Sequence, residues 1–394
     1  MRSFLLLVGL SLLGCQTKAV VVRTQECSRS CPGCCDATGT CLTGEDDDAC
    51  GAPRSACRSC GAGSTCRAGS CEVIMADAGV TPVDAGVTPV VDAGVVALDA
   101  GASQTPCPPD GWCLDGLGAG GQPLVTANLR SVWATSPTDV WVVGDGATVL
   151  HFDGLAWSAV NAGLTDDLFA VWASGPNDVW ISGGSGDPSQ NIGVIARFDG
   201  SAWRVVSRNL RRIDAIWGSR ADDVWFGGPQ GTLLKWNGAA LTPVASNTTK
   251  DLVDFAGSGG RIWAVGSSGL ILENAAGTWS EVRTSMTNGL TSAIAFGNTL
   301  TWAAGGNGAL ATWDGTTWRT PGIGQDVTVM GLWGARPDAV WSVGPEGEIH
   351  LFSGVTQVSK KVSPTTRFLR DVHGSDERNV WAVGFGGVIL RYRP

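Results

Sequence analysis

The groups in this 394-residue chain that could break bonds are three histidines, one tyrosine and a scatter of carboxylates. A nucleophilic serine needs a histidine held beside it and oriented by a third group. His151 and His350 sit in short stretches of alternating polarity, and His373 stands where copies of a repeat carry an aromatic residue. None lies in a nucleophile motif, so packing or surface roles are expected and no catalytic residue is assigned. Glycoside hydrolysis would need two carboxylates facing each other across a cleft. Carboxylates and cations that loops could bring to one rim are Asp166, Asp167, Asp187, Arg211, Arg212, Lys250, Asp251, Glu346, Glu348, Arg367 and Arg370. They form a candidate ligand-binding rim, against the simpler expectation that loops are polar in any protein.

These residues are positioned by a repeat. Trp141, Trp180, Trp225, Trp263, Trp302, Trp341 and Trp381 recur at intervals of 38 to 45 residues, a period that marks a repeat architecture. Each copy opens with an apolar segment ending near an aromatic: Trp133, Trp172, Trp217, Phe255, Phe296, Trp333, or His373 in the last. A turn such as SPTD, GPND or SDERN follows, then a strand such as DVWVVG or NVWAVG. A Gly-rich turn leads to a third segment such as TVLHF, TLLKW or VILRY. Its polar position, held by His151, Arg197, Lys235, Glu273, Thr312 and Arg391, predicts one solvated and one buried face. Asp-Gly pairs then signal a hairpin to a fourth strand. Four short strands in about 40 residues is the layout of one propeller blade. The fold expected is all-β, a seven-bladed β-propeller of four-stranded blades over 107–394. Composition agrees: 56 glycines and 18 tryptophans suit turns and strands better than helices.

The hairpins Asp153-Gly154-Trp157, Asp199-Gly200-Trp203 and Asp314-Gly315-Trp318 resemble the Asp-box (BNR) repeat of sialidase-like and photosystem-assembly-factor-like propellers, although the usual box places one residue between Asp and Gly. Blade three has Asn237-Gly238 without the tryptophan, blade four keeps Trp279, and blade six has Ser353-Gly354. The resemblance covers about two-thirds of the chain and implies a fold, not an activity. Sialidase chemistry would require a tyrosine nucleophile with a glutamate and clustered arginines, and the sole tyrosine is Tyr392, close to the last residue.

Blade seven reaches its third strand as the chain stops at Pro394, so closure must come from ahead of blade one. Counting back from Trp133 by the Trp203-to-Trp217 interval puts Ala119 at the box-tryptophan position and makes Gln122–Thr126 the outer strand. Asp110-Gly111-Trp112 is a rival register requiring a longer insertion.

The first 106 residues read differently. Arg2 and the apolar run FLLLVGLSLL make 1–14 a signal peptide, too short to span a bilayer. Leu12-Leu13-Gly14-Cys15 resembles the lipobox of bacterial lipoproteins, which implies acylation of Cys15 and a palmitate-type anchor, with 15–26 as tether. Gln16 in place of aspartate favours the outer membrane by the same resemblance. Ten cysteines fill 27–71: Cys27, Cys31, Cys34, Cys35, Cys41, Cys50, Cys57, Cys60, Cys66 and Cys71. So small a segment with few large hydrophobes needs disulfides. A zinc site at Cys57 and Cys60 is the weaker alternative, because no histidine lies nearby. The segment resembles cysteine-rich modules of myxobacterial lipoproteins. Residues 72–106 repeat Asp-Ala-Gly as an extended linker with isolated aspartates at 77, 84, 92 and 99, unlike a clustered calcium loop. Cys107 and Cys113 are expected to pair with each other.

A formal net charge of −9 argues against a nucleic-acid partner. The expectation is a lipid-anchored monomer of the cell envelope, touching the membrane only through its lipid. It presents a non-catalytic propeller to a protein or glycan, with no cofactor or metal. The alternatives are a carbohydrate-active enzyme of Asp-box type and a periplasmic assembly or scaffold factor.

Overall fold

The computed structural model describes residues 45–46, 49–50, 64–67, 70–73 and 111–394, apart from 186–189, 191, 259, 276, 325–326 and 356–357. Cys15, the linker, Asp187 and Cys107 therefore lie outside the described residues. The chain divides into two compact units, Met1–Ala93 and Gly94–Pro394. In the first, Glu45–Asp46 pairs with Ala49–Cys50, and Ser64–Arg67 pairs with Ser70–Val73. This second hairpin sets Cys66 opposite Cys71.

The second unit is a seven-bladed β-propeller of four-stranded antiparallel sheets. Six blades are consecutive in the chain, starting with Leu129–Ser136, Asp139–Gly144, Thr148–Phe152 and Trp157–Ala159. The seventh combines Leu369–Asp376, Asn379–Gly384 and Ile389–Arg393 with Gly111–Asp115 from ahead of blade one. An N-terminal strand thus closes the ring, but in the rival register. Trp112 lies opposite Tyr392, where Trp157 and Trp203 lie opposite Phe152 and Phe198. Packing decides the register. Trp112 is 3% exposed, edge-on to Trp341 at 5.2 Å, whereas Ala119 offers no such side chain. The added length is absorbed by a short 3-10 turn at Ala119–Gly121 and an isolated bridge from Leu117 to Pro123. Cys113 on the closing strand is disulfide-bonded.

The repeated tryptophans fill equivalent sites between blades, Trp180, Trp263, Trp302 and Trp381 being almost wholly buried. Across the inner hairpins they face Trp133, Trp172, Trp217, Ala256, Ile294, Trp333 and His373. Blades four and five therefore put Ala256 and Ile294, not Phe255 and Phe296, at that position. On the other side the tryptophans face His151, Arg197, Lys235, Glu273, Thr312, Leu351 and Arg391. Four of them, His151, Arg197, Lys235 and Arg391, lie over indole rings instead of reaching freely into water. Arg197 sits 5.0 Å from the Trp180 ring, Lys235 4.7 Å from Trp225 and Arg391 4.9 Å from Trp381, as cation–π contacts. His151 stacks on Trp141 at 4.1 Å.

Each is held by the residue that opens the preceding strand: His151 by Asp139 at 2.7 Å, Arg197 by Asp178 at 2.6 Å and Lys235 by Asp223 at 2.9 Å. Blade four reverses the charges, with Arg261 and Glu273 3.3 Å apart. Blade six has Ala339 and Leu351 at the two positions, so both members of the pair are absent together. Burial alone would raise the Asp139 pKa. Hydrogen bonds from His151, Thr135 and Trp141 outweigh it and hold the carboxyl below its usual range.

At the strand-three to strand-four turns, Oδ1 of Asp153 accepts the N–H groups of Leu155 and Ala156, both at 2.9 Å. Asp199, Asn237 and Asp314 repeat the arrangement. Gly154 has φ +96°, and a Cβ there would lie 2.6 Å from Thr138, in the turn between the first two strands. The Asp-Gly pair therefore shapes one face of the propeller by turn geometry and close approach.

Candidate functional site: the channel mouth

The opposite face carries the Gly-rich turns and the starts of the inner strands, because Leu129 pairs with Gly144 and Leu369 with Gly384. Seven apolar residues anchor those starts and are at most 1% exposed: Leu129, Leu168, Ile213, Leu252, Leu290, Val329 and Leu369. The residue after each lines the axial channel: Arg130, Phe169, Asp214, Val253, Thr291, Met330 and Arg370. The channel is a cavity of about 320 Å³. Its mouth is a second one, of about 240 Å³, between Arg130, Phe169, Arg212, Asp214, Val253 and Arg370.

On four of the seven inner strands the next residue, Ser131, Asp254, Ser292 or Asp371, knits the ring. Oδ2 of Asp371 accepts the Val132 N–H at 3.0 Å, joining blade seven to blade one. Ser131 accepts from Val171 at 3.4 Å, Asp254 from Ala293 at 2.9 Å, and Ser292 from Leu332 at 3.0 Å, each crossing to the following blade. Oγ of Ser292 also donates to Asp254 at 3.0 Å. These carboxylates touch the channel yet have protein around them, so the cost of desolvating a charge dominates their titration. Burial pushes the Asp254 carboxyl up to about 7, against the lowering effect of its backbone hydrogen bonds; the nearby Asp371 raises it further. Burial likewise raises Asp371 and Asp214, the latter partly offset by Arg212. Burial holds the His373 imidazole down at about 3, and its Nδ1 accepts the Ala134 N–H at 3.1 Å. It is a neutral packing residue stacked 4.0 Å from Trp133.

At the mouth, Arg130 grips Asp145 with two hydrogen bonds, of 2.7 and 3.1 Å, while its guanidinium lies 5.4 Å from the rings of both Phe169 and Phe385. Arg212 pairs with Asp214 at 2.6 Å and lies 4.9 Å from Phe169. Phe385 stacks on Phe368 at 4.7 Å. The surface is thus a patch of aromatic rings and fixed guanidinium groups.

Of the rim residues expected from sequence, the structure brings Arg212 and Arg370 into this mouth. Asp167 and Asp251 instead clip blades together, accepting the N–H groups of Gly146 at 2.8 Å and Gln230 at 2.9 Å. Asp166 pairs with Arg208, Lys250 with Glu281 and Glu348 with Lys360. Arg211 donates to Gln230, and Arg367 to the Gly386 carbonyl at 3.3 Å. Glu346 occupies a left-handed position in its turn, φ +56°. Arg130, Asp214, Asp254, Asp371 and Phe169 were missed by sequence reasoning. Each lies one or two positions after a buried apolar residue at an inner-strand start, a signal readable only by aligning the seven copies.

No protein-family model matches the chain, and no curated protein matches it in sequence. Among solved structures it is similar to YCF48 bound to D1 peptide, with 16% identity over 72% of this chain and 97% of that one and a TM-score of 0.58. It is also similar to YCF48 from Cyanidioschyzon merolae (15% identity, 72% and 99% covered, TM-score 0.56). A catalytically inactive virginiamycin B lyase from Staphylococcus aureus with quinupristin aligns at 11% identity, 72% and 99% covered, TM-score 0.61. Such distant likenesses establish the propeller fold alone.

Proposed function

We propose that the propeller is a non-catalytic binding module that takes a protein segment at the channel mouth, carried on a lipid-anchored cell-envelope protein. The observation that carries this reading is the mouth itself. Phe169, Phe368 and Phe385 supply rigid apolar area, and Arg130 and Arg212 are pre-ordered beside them by ion pairs, so little side-chain entropy is lost on docking. That one similar propeller is described as bound to a peptide is consistent with such a partner. The neutral His373 and the Asp139-bound His151 support a binding role over hydrolysis. The Asp-box-like hairpins then serve as turns on the far face. Cys15 is the proposed acylation site and Cys107 the proposed partner of Cys113.

The test is co-purification from envelope extracts with full-length protein against a Phe169→Ala/Arg212→Ala variant of matched thermal stability. The reading expects a specific partner retained by the first and lost by the second. Equal retention would place binding elsewhere. A second test addresses the anchor: a fatty-acid analogue should label the wild type, and equal labelling of Cys15→Ser would exclude acylation there.

A further inference from the structure

Arg370 differs from the other cations of the mouth. Arg130 and Arg212 each spend their guanidinium on a carboxylate, Asp145 and Asp214. Arg370 is half-buried and makes one hydrogen bond, Nη1 to the Met330 carbonyl at 3.3 Å, with no ion pair to a described residue. It lines both the channel and its mouth, so the remaining donors of a five-donor fork have the cavity before them. Its charge is balanced at longer range by Asp371, Asp254 and Asp214 and opposed by Arg130. The first two of these carboxylates are already engaged by backbone N–H groups and the third by Arg212.

A guanidinium with free, co-planar donors in an enclosed site fits a carboxylate better than any neutral group, because the fork matches two oxygens at once. We infer that Arg370 is the specificity residue of the mouth and receives one acidic side chain of the bound segment, with Phe169 beneath its flanking residues. This rests on the binding role proposed above. The formal charge of the whole chain, −9, disfavours strongly acidic partners at long range. The segment recognised is therefore a single Asp or Glu within a neutral or basic stretch.

The probe is a phage-displayed library of random dodecapeptides selected on the full-length protein, with enriched peptides resynthesised. The inference expects a shared acidic position. Replacing it by Gln should weaken binding tenfold or more to the wild type and little to Arg370→Gln, and Arg370→Lys should recover only part of the loss. A purely structural role for Arg370 would lower the melting temperature without this coupling, so the full cycle of peptide and protein variants is read at matched folded fraction. Peptides that bind without an acidic residue, are lost on Phe169→Ala and are indifferent to Arg370→Gln would overturn the inference while leaving the binding role intact. No enriched peptide sensitive to Phe169→Ala would overturn both.

Discussion

Asp254 shows how a single residue's placement sets a pH response. Its carboxyl is raised to about 7 in the fold, while an unfolded chain would hold it near 3.8. The folded state therefore binds that proton more tightly. The stabilisation is full below about pH 4 and is lost as pH rises through about 7. In Asp254→Asn this contribution disappears, so the wild type's stability relative to the variant should fall steadily from pH 4.5 to pH 8 in urea unfolding. A difference independent of pH would show that the carboxyl titrates normally. The ladder over the tryptophans gives a second residue-scale expectation. Arg197→Ala removes both the Asp178 bond and the contact with Trp180, and should cost about 1–3 kcal/mol in the same assay. The period-two pattern revealed where these polar side chains lie but read them as solvated. Nothing in the alternation shows that an indole lies beneath, since that depends on register with the neighbouring strand. Pairing the charged ones with the residue that opens strand two would have exposed their partners, because Asp178 with Arg197 and Arg261 with Glu273 are complementary in both orders.

At the scale of elements, four strands per repeat, the Asp-Gly turns and an N-terminal closing strand were all legible. The closing register was not. Counting residues assumed that the link from outer strand to blade one keeps one length, whereas burial of Trp112 against Trp341 and Tyr392 decides the pairing and the link lengthens to suit. Trp112→Ala should therefore destabilise the entire ring by about 3–5 kcal/mol, as expected for a buried aromatic truncated in place. Ala119→Gly should leave the unfolding midpoint nearly unchanged; the reverse ranking would restore the Gln122–Thr126 register. Blade two is the outlier among the outer strands. Trp203–Leu210 runs for eight residues with an open edge. It is guarded by two register shifts, a left-handed Asn209 at φ +58° and the side chains of Arg204 and Arg208, devices that discourage pairing with another chain.

The whole molecule explains why the mouth escaped sequence reasoning. Arg130, Phe169, Asp214 and Arg370 are spread over 240 residues and sit one to a blade, so only ring closure makes them neighbours. Within any one repeat each is a polar or aromatic residue at a strand start, with no local motif. The rim expected from loops contained Arg212 and Arg370, but most of its other members are consumed by contacts that hold adjacent turns or strands, as Asp167 and Asp251 show. The propeller thus separates its two faces: turn-shaping aspartates on one, fixed guanidinium and aromatic groups around an axial opening on the other. The most direct measurement of that division is site-specific photo-crosslinking in cells, with a benzophenone amino acid placed at Phe169 or, on the far face, at the exposed Leu155. Binding at the channel mouth predicts a discrete adduct from position 169, lost in Arg212→Ala, and none from position 155. An adduct from position 155 with none from 169 would contradict it.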